Sequence, residues 1–208
     1  PRSTQTRSSA ASDVYKRQPA RSAIITGMYP SSIGTGNQRA YHQKRKVRPD
    51  SESQLDFPYY SSKLAEAIKP FTQILRENGY YCTNNSKTDY NFKLTEEAWD
   101  ESSENASWEN RKKDQPFFAV FNFGVTHESS IWRRDKKKLK VDSNILKVPP
   151  VFPDDSITRH ALAVNYSNLI EMDIQMGKII DKLKNQKLYD NTYISVSYTH
   201  LRAHETID

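Results

Sequence analysis

The alternation of apolar and polar positions predicts short helices and strands in the middle of the chain. In KPFTQILRENG, apolar residues at helical spacing lie between Pro70 and Gly79, which are typical residues for the start and the end of a helix. The segment QPFFAVFNFG, residues 115–124, is almost entirely apolar and aromatic, as expected for a strand buried on both faces of a sheet. A helix and a strand in this order favour an α/β fold.

Four further segments extend the same pattern. We predict a short helix over residues 20–26, a short strand over residues 80–83 and another strand beginning in NTYIS, residues 191–195. The longest helix is predicted over residues 157–184, with an apolar stripe formed by Leu162, Tyr166, Leu169, Ile170, Ile180 and Leu183. Strands that alternate with helices in this way indicate a mostly parallel sheet flanked by helices.

The two ends of the chain are related through nucleotides rather than amino acids. DVYKRQ, residues 13–18, can be encoded by GAT GTG TAT AAG AGA CAG, and the reverse complement of that string contains GTC TCT TAT ACA CAT C. This second string translates as VSYTH, residues 196–200. The inverted repeat resembles the end of a transposase-based sequencing adapter, and the flanking SSAAS and LRAHET fit the same origin. We therefore interpret residues 1–18 and 196–208 as adapter-like and not native, and residues 19–195 as a fragment of the natural protein.

Without these ends, the net charge of the chain is smaller. The chain of 208 residues has 31 Lys and Arg against 25 Asp and Glu, a formal net charge of +6. The ends hold five of the basic and three of the acidic residues, so the interior has 26 against 22, a balance of +4. This mild basicity is not a nucleic-acid signature. The single cysteine, Cys82, excludes a disulfide within the chain and a thiolate metal cage, and no apolar run approaches the ~18 residues of a membrane span.

Four blocks of sequence, in order and at sensible spacing, carry a resemblance to a known enzyme family. PARSAIITGMYP has Pro19, Arg21 and Thr26 with its following glycine where the sulfatase motif has them, after a Cys or Ser two residues before the proline. ENGYYCTNNSK ends at Lys87 as the family's Gly-Tyr, Thr and Lys arrangement does, and PFFAVFNFGVTH ends at His127. The long helix followed by LYDNTYIS is similar to the segment that leads into the family's Asp-His-Gly or Asp-Asn-Gly metal motif.

This resemblance implies both a fold and an activity for the interior of the chain. It implies a partial sulfatase domain of the formylglycine-dependent, alkaline-phosphatase-like superfamily, truncated at both ends. The parent would hydrolyse sulfate esters, on a polysaccharide or glycoside, with a formylglycine nucleophile and Ca²⁺. It would need a formylglycine-generating or anaerobic maturation enzyme and would be periplasmic or extracellular. Neither a nucleic-acid partner nor a membrane span is expected.

The resemblance also assigns roles to individual residues. The nucleophile's place is position 17, but Arg17 stands there and belongs to the adapter-like end, so we expect this chain to be inactive. Arg21 would hold the nucleophile's oxygen through its fork of donors. Lys87 would place positive charge on the sulfate oxygens. His127 would contact the sulfate or protonate the departing alcohol. The family's acidic metal ligands have no counterpart here, so no metal residue is assigned.

Each assignment has a simpler alternative. Arg21 could form an ordinary surface ion pair, Lys87 could be solvated, and His127 could be a buried histidine with satisfied hydrogen bonds. Asp89 stands two positions beyond the lysine, where many sulfatases have a His, and its role is left open. His200 has the register of the family's metal-motif His but lies in the adapter-like end, so we reject it as a ligand.

Two rival functions come from other classes of protein. One is a phosphodiesterase or phosphonate hydrolase of the same superfamily. The other is a non-catalytic binder of polyanions that would use QKRKVR, residues 43–48, and RRDKKKLK, residues 133–140. Both basic runs fall in predicted solvated loops, which is the commoner fate of such charge runs. Because a sheet that lacks strands has an open edge, we also expect the fragment to be poorly soluble or loosely packed.

Overall fold

The structure, a computed structural model, describes residues 17–36, 62–88, 90–127, 129–133 and 139–196. Within these ranges the α-helices are α1 (Arg17–Thr26), α2 (Phe71–Glu77), α3 (Ser129–Arg133) and α4 (Ser156–Asn185). The strands are β1 (Tyr81–Asn85), β2 (Glu101–Ser103) and β3 (Phe117–Phe121), and short 3₁₀ helices cover Glu96–Ala98, Trp108–Asn110, Ser143–Ile145 and Tyr189–Asn191. The chain forms two compact units, one that reaches Asn122 and one that begins at Phe123.

A parallel sheet of three strands, in the order β2-β1-β3, organises the first unit. The register places Thr83 of β1 opposite Glu101 of β2 and opposite Ala119 of β3. Because all three strands run in the same direction, their carboxyl ends meet at one edge of the sheet. The predicted α/β fold with a parallel sheet flanked by helices is confirmed, and it is consistent with a partial alkaline-phosphatase-like domain.

Helices α1 and α2 form where the sequence predicts them. Pro70 precedes α2 with φ −53°, a value that suits the start of a helix. Gly79 follows α2 in the left-handed region with φ +88°, which costs a glycine little. Helix α1 ends in the same way, at Gly27 with φ +67°, whose N–H donates to the carbonyl of Ala23 at 2.8 Å.

The core of the first unit lies between the sheet and the two helices. Its buried members are Ile25, Cys82, Tyr90, Phe92, Ala98 and Trp99. Phe71 of α2 packs edge-on against Phe118 of β3, with ring centroids 5.1 Å apart, and Trp99 stacks on the same ring at 6.3 Å. These aromatic contacts join α2 to β3 across the sheet and remove large apolar surfaces from water, which is the main driving force of folding.

Strand β3 departs from the prediction of complete burial. All five of its residues are partly exposed, because β3 is an edge strand of the described sheet. Side chains on both faces of β3 nevertheless pack against other residues. Phe118 and Val120 contact the core cluster, while Phe117 and Phe121 lie against the buried ring of Trp108, at 5.7 and 5.5 Å. The continuous apolar run therefore reflects packing on both faces, as predicted, without full exclusion of water.

In the second unit, α4 spans 30 residues and confirms the predicted long helix. Its start is capped by Asp155, whose carboxylate accepts from the N–H of Thr158 at 2.8 Å. The polar segment before α4 contains the short helix α3 and the 3₁₀ turn at Ser143–Ile145. None of the helices in the described ranges has the length and apolar character that a membrane span requires.

The apolar stripe predicted on α4 is confirmed in part, since Leu162, Leu169 and Ile180 are partly buried. Of the six predicted residues only Leu183 is buried, while Tyr166 and Ile170 are exposed. The buried residues of α4 are Ala163, Val164, Ser167, Asn168 and Leu183. The rest of this face was missed because small and polar residues form it. Ser167 is buried since its hydroxyl accepts from the main-chain N–H of Lys140 at 2.9 Å, which brings that segment onto the helix.

The strand predicted at residues 191–195 is also wrong. A 3₁₀ turn covers Tyr189–Asn191, and no strand follows it before the described part of the chain ends at residue 196. The side chain of Tyr193 is fully exposed. A strand needs a neighbour to bond its main chain, and no other described segment pairs with this one. Conversely, β2 was not predicted, because Glu101–Ser103 is short and polar.

Candidate functional site

Arg21 extends from α1 to the loop that follows β1. Its Nε donates to the carbonyl of Thr88 at 2.8 Å, its Nη2 to the carbonyl of Lys87 at 2.5 Å and its Nη1 to Oδ1 of Asn122 at 3.0 Å. The guanidinium also lies 5.3 Å from the ring centroid of Tyr90, within the range of a cation–π contact. These partners are neutral oxygens and a ring, so they differ from the carboxylate of an ordinary surface ion pair.

The main chain of Lys87 is held against Arg21 by a tight turn at the end of β1. Ser86 takes up a left-handed conformation with φ +63°, and its N–H donates to the carbonyl of Asn84 at 3.0 Å. The chain therefore reverses directly after Asn85, and the carbonyls of Lys87 and Thr88 become partners of Arg21. Lys87 itself is half-buried. The structure thus brings these two predicted site residues together at the carboxyl edge of the sheet.

Two asparagines that the sequence did not single out complete this edge. Asn122, directly after β3, donates from Nδ2 to Oδ1 of Asn84 at 3.1 Å and to the carbonyl of Asn85 at 3.0 Å. Asn84 is fully buried and donates in turn to the hydroxyl of Ser102 on β2 at 2.9 Å. The one available signal was that Asn122 is the first polar residue after the apolar run FFAVF.

Position 17 lies on the same face of α1 as Arg21. The two are four residues apart in a helix, which places them one turn from each other along one side. The described part of α1 begins at Arg17. The predicted place of the nucleophile is therefore adjacent to the Arg21 anchor.

His127 belongs to the second unit and lies in a turn six residues after the end of β3. Its Nδ1 accepts from the N–H of Ser129 at 3.1 Å and lies 2.9 Å from the Ser129 hydroxyl. A main-chain N–H can only donate, so Nδ1 carries no proton and the proton of the neutral ring resides on Nε2. The ring is partly exposed rather than buried. Its convergence with Arg21 and Lys87 on one sulfate stays a prediction.

Several other predicted features lie outside the described residues. These are Asp89 and His200, the basic run at residues 43–48 and residues 134–138 of the second basic run. The backbone of Arg17 is described as part of α1, but its side chain is not. His160 lies exposed on α4. The described residues therefore do not test the alternative of a polyanion-binding protein.

Cys82 has the surroundings of a core residue and not of a nucleophile. Its side chain is completely buried, and its thiol points to the carbonyl of Thr72 at 3.5 Å. Burial raises the pKa of the Cys82 thiol to about 12, with a further contribution from the charge of Asp100. Because the thiolate is the reactive form, this cysteine is unreactive at neutral pH.

A parallel sheet with polar and cationic groups at its carboxyl edge is the typical site arrangement of an α/β enzyme domain. Comparison with curated proteins identifies an enzyme to which the chain is similar. The chain is 35% identical over 214 residues to the ulvan-active sulfatase of Formosa agariphila, and the alignment covers 85% of this chain and 34% of that protein. The chain therefore spans about a third of the length of the curated relative that it matches. No family model matches the chain. The similarity supports the sulfatase family for this chain.

Proposed function

We propose that the intact protein containing residues 19–195 is a sulfatase that hydrolyses sulfate esters on a polysaccharide or glycoside. The observation that carries the proposal is the anchoring of Arg21 to the carbonyls of Lys87 and Thr88, one helical turn from position 17. The identity with a sulfatase named for its activity on ulvan supports a sulfated carbohydrate as the substrate.

Arg21 is arranged to bind an anion in a fixed direction. A guanidinium has five N–H groups, and the described residues accept from three of them. Among the described residues, nothing accepts from the other two N–H groups, which we propose bind the oxygen of a nucleophile or of a sulfate. Since the bound oxygens are neutral, the positive charge of Arg21 is not compensated by these contacts and is available to a negatively charged ester.

Lys87 and His127 supply the remaining parts of the proposed chemistry. The ammonium of Lys87 would stabilise the negative charge that gathers on the sulfate oxygens during attack. His127 with its proton on Nε2 is in the tautomer that can donate to a sulfate oxygen or to the departing alcohol. The Nε2–H of the neutral ring can donate a hydrogen bond to the sulfate. Protonation of the departing alcohol needs the imidazolium form instead, in which Nδ1–H would donate to the Ser129 hydroxyl.

Two groups that the family resemblance implies do not fit the chain as it stands. A formylglycine at position 17 would supply the nucleophile and Ca²⁺ would offset the charge of the sulfate, but Arg17 cannot become an aldehyde. Across the described ranges, no three His, Cys, Asp or Glu side chains come together as a metal site. We therefore expect the chain itself to be inactive. For the intact protein, the proposal includes both groups, a formylglycine-generating or anaerobic maturation enzyme, and a periplasmic or extracellular location.

The test begins by recovering the full-length protein from overlapping source sequence and reading position 17. We expect Cys or Ser there and Asp-His-Gly or Asp-Asn-Gly after residue 195. The purified protein is then assayed on nitrophenyl sulfate, nitrophenyl phosphate and ulvan. Faster turnover of the sulfate ester supports the proposal. A preference for the phosphate ester would instead assign the protein to the phosphodiesterases or phosphonate hydrolases of the superfamily.

A further inference from the structure

A continuous chain of side-chain hydrogen bonds crosses the carboxyl edge of the sheet. It runs from Ser102 on β2 through Asn84 on β1 to Asn122 after β3, and from Asn122 to Arg21 on α1. Each link is 2.9 to 3.1 Å long. Asn122 is the residue that connects the guanidinium to the sheet, because the other two oxygens that bind Arg21 belong to the loop at residues 87–88.

The partners of Asn122 fix the orientation of its amide. An arginine offers only donors, so the atom of Asn122 that contacts Nη1 must be the oxygen. The carbonyl of Asn85 offers only an acceptor, so the atom that contacts it must be the nitrogen. Rotating the amide by half a turn would set donor against donor at Arg21 and acceptor against acceptor at Asn85. Only one orientation of Asn122 is therefore compatible with its surroundings.

We infer that Asn122 is a positioning residue for Arg21. Its Oδ1 accepts from Nη1 and fixes the plane of the guanidinium relative to the sheet. Its Nδ2 donates to Asn84 and Asn85 and so fixes the position of the amide at the end of β1. The catalytic role of this contact rests on the proposed function. While Asn122 holds Nη1, the guanidinium cannot rotate, and its other two N–H groups keep a fixed direction. Asn122 makes no contact with substrate in this scheme and acts through Arg21.

The test uses the full-length protein labelled with ¹⁵N-arginine, with Arg21 assigned by the loss of its signals in Arg21→Lys. Bonds to Nη1 and Nη2 hinder rotation of the guanidinium about the Nε–Cζ bond, so the wild-type protein should show two separate Nη signals for Arg21. In Asn122→Leu the bond to Nη1 is lost, and rotation should accelerate by about tenfold or more, the effect of one charge-assisted hydrogen bond. In Asn122→Asp the acceptor is kept, and rotation should stay slow.

Ser22→Ala provides the matched control. The hydroxyl of Ser22 is buried and bonds the carbonyl of Tyr90, so this variant also weakens the attachment of α1 but leaves the partners of Arg21 in place. A purely structural role of Asn122 predicts the same spectrum for Ser22→Ala and Asn122→Leu. Slow rotation of Arg21 in Asn122→Leu would overturn the inference. If that variant does not fold, Asn122→Asp decides: fast rotation in the Asp variant would overturn it equally.

Kinetics separate this inference from the proposed function. We expect Asn122→Leu to lower kcat for nitrophenyl sulfate by about tenfold or more with a smaller change in KM. Asn122→Asp should not recover this loss, because its carboxylate would compensate the positive charge of Arg21 that the ester requires. Equal kcat in wild type and Asn122→Leu would contradict the inference. If the wild-type protein shows no sulfatase activity, the proposed function fails, while the rotation of Arg21 still tests whether Asn122 positions it.

Discussion

At the scale of single residues, the pairing of Tyr81 with Glu101 contributes to the response of the first unit to alkali. The Tyr81 hydroxyl donates to the Glu101 carboxylate at 2.6 Å, and partial burial together with this bond raises the pKa of Tyr81 to about 12. The folded state therefore keeps the phenol proton more tightly than the unfolded state, in which the phenol pKa is near its ordinary value of about 10. This contribution to stability is complete below pH ~10 and is lost as the pH rises toward ~12.

Tyr81→Phe should consequently reduce the alkaline loss of stability. We expect the urea midpoint of the wild-type chain to fall more steeply between pH 9 and pH 11 than that of Tyr81→Phe, since only the wild-type loses this proton linkage. Tyr80→Phe serves as the control, because Tyr80 is the neighbouring tyrosine and is exposed. Parallel pH curves for wild type and Tyr81→Phe would show that the pair does not couple to folding.

At the same scale, Arg21 and Asn122 differ in how they could be identified. A family motif identifies Arg21, whereas the pattern of apolar and polar residues does not identify Asn122. Arg21 and Lys87 could be named from the sequence because they stand in family motifs, and the structure brings the side chain of one to the carbonyl of the other. Asn84 and Asn122 were missed, because a polar residue at the end of an apolar run is indistinguishable from an ordinary strand end. Their role depends on which strands become neighbours, and periodicity carries no information about strand order.

At the scale of elements, two glycines of different backbone conformation should respond to alanine in opposite ways. Gly79 ends α2 with φ +88° and has open space where a Cβ would lie, so Gly79→Ala adds conformational strain without a clash. We expect it to lower the free energy of unfolding by about 1 kcal/mol. Gly177 lies inside α4, also with open space around its Cβ position, and Gly177→Ala should raise stability by about 0.5–1 kcal/mol.

Urea denaturation of the two variants and the wild type checks this pair. The same chemical change is made in both, so the difference in sign isolates backbone conformation from side-chain packing. Two losses of equal size would mean that the left-handed conformation at Gly79 is not what matters. Two gains would show that it carries no strain for alanine.

Helices and strands could be predicted where several local sequence signals agreed. They could not be predicted where the structure of a segment depends on which other segments pack beside it. Helix α2 has apolar spacing, Pro70 before it and Gly79 after it, and all three signals held. Segment 191–195 has the β-branched and aromatic residues of a strand but no described strand beside it, so it stays irregular. On α4 the length was correctly predicted and the buried face only in part, because Ser167 is buried through a contact with Lys140, which lies outside the helix.

At the scale of the whole molecule, the exposed apolar side chains of the second unit favour poor solubility. Trp132, Ile145 and Val151 are each about four-fifths exposed, at 80%, 78% and 83%, and exposed apolar surface promotes association. The edge strand β3 of the first unit adds main-chain groups that can pair with another chain. We expect the 208-residue chain to bind a hydrophobic dye such as ANS and to melt over a broad range.

Calorimetry and dye binding measure both properties directly. Replacing Ile145 and Val151 by Ser should lower dye binding and raise solubility without changing the helical signal in circular dichroism, because both side chains lie outside α4. A single sharp and cooperative melt of the unaltered chain, with no dye bound, would contradict the expectation.

The anchor of Arg21 has a further consequence for sequence variation. Two of its partners are carbonyl oxygens of residues 87 and 88, and a carbonyl is supplied by every amino acid. The attachment of the helix to the loop is thus indifferent to the side chains that the loop displays. A library of side chains at Thr88 should therefore leave the guanidinium in its place, provided that each variant keeps the main-chain path of the loop.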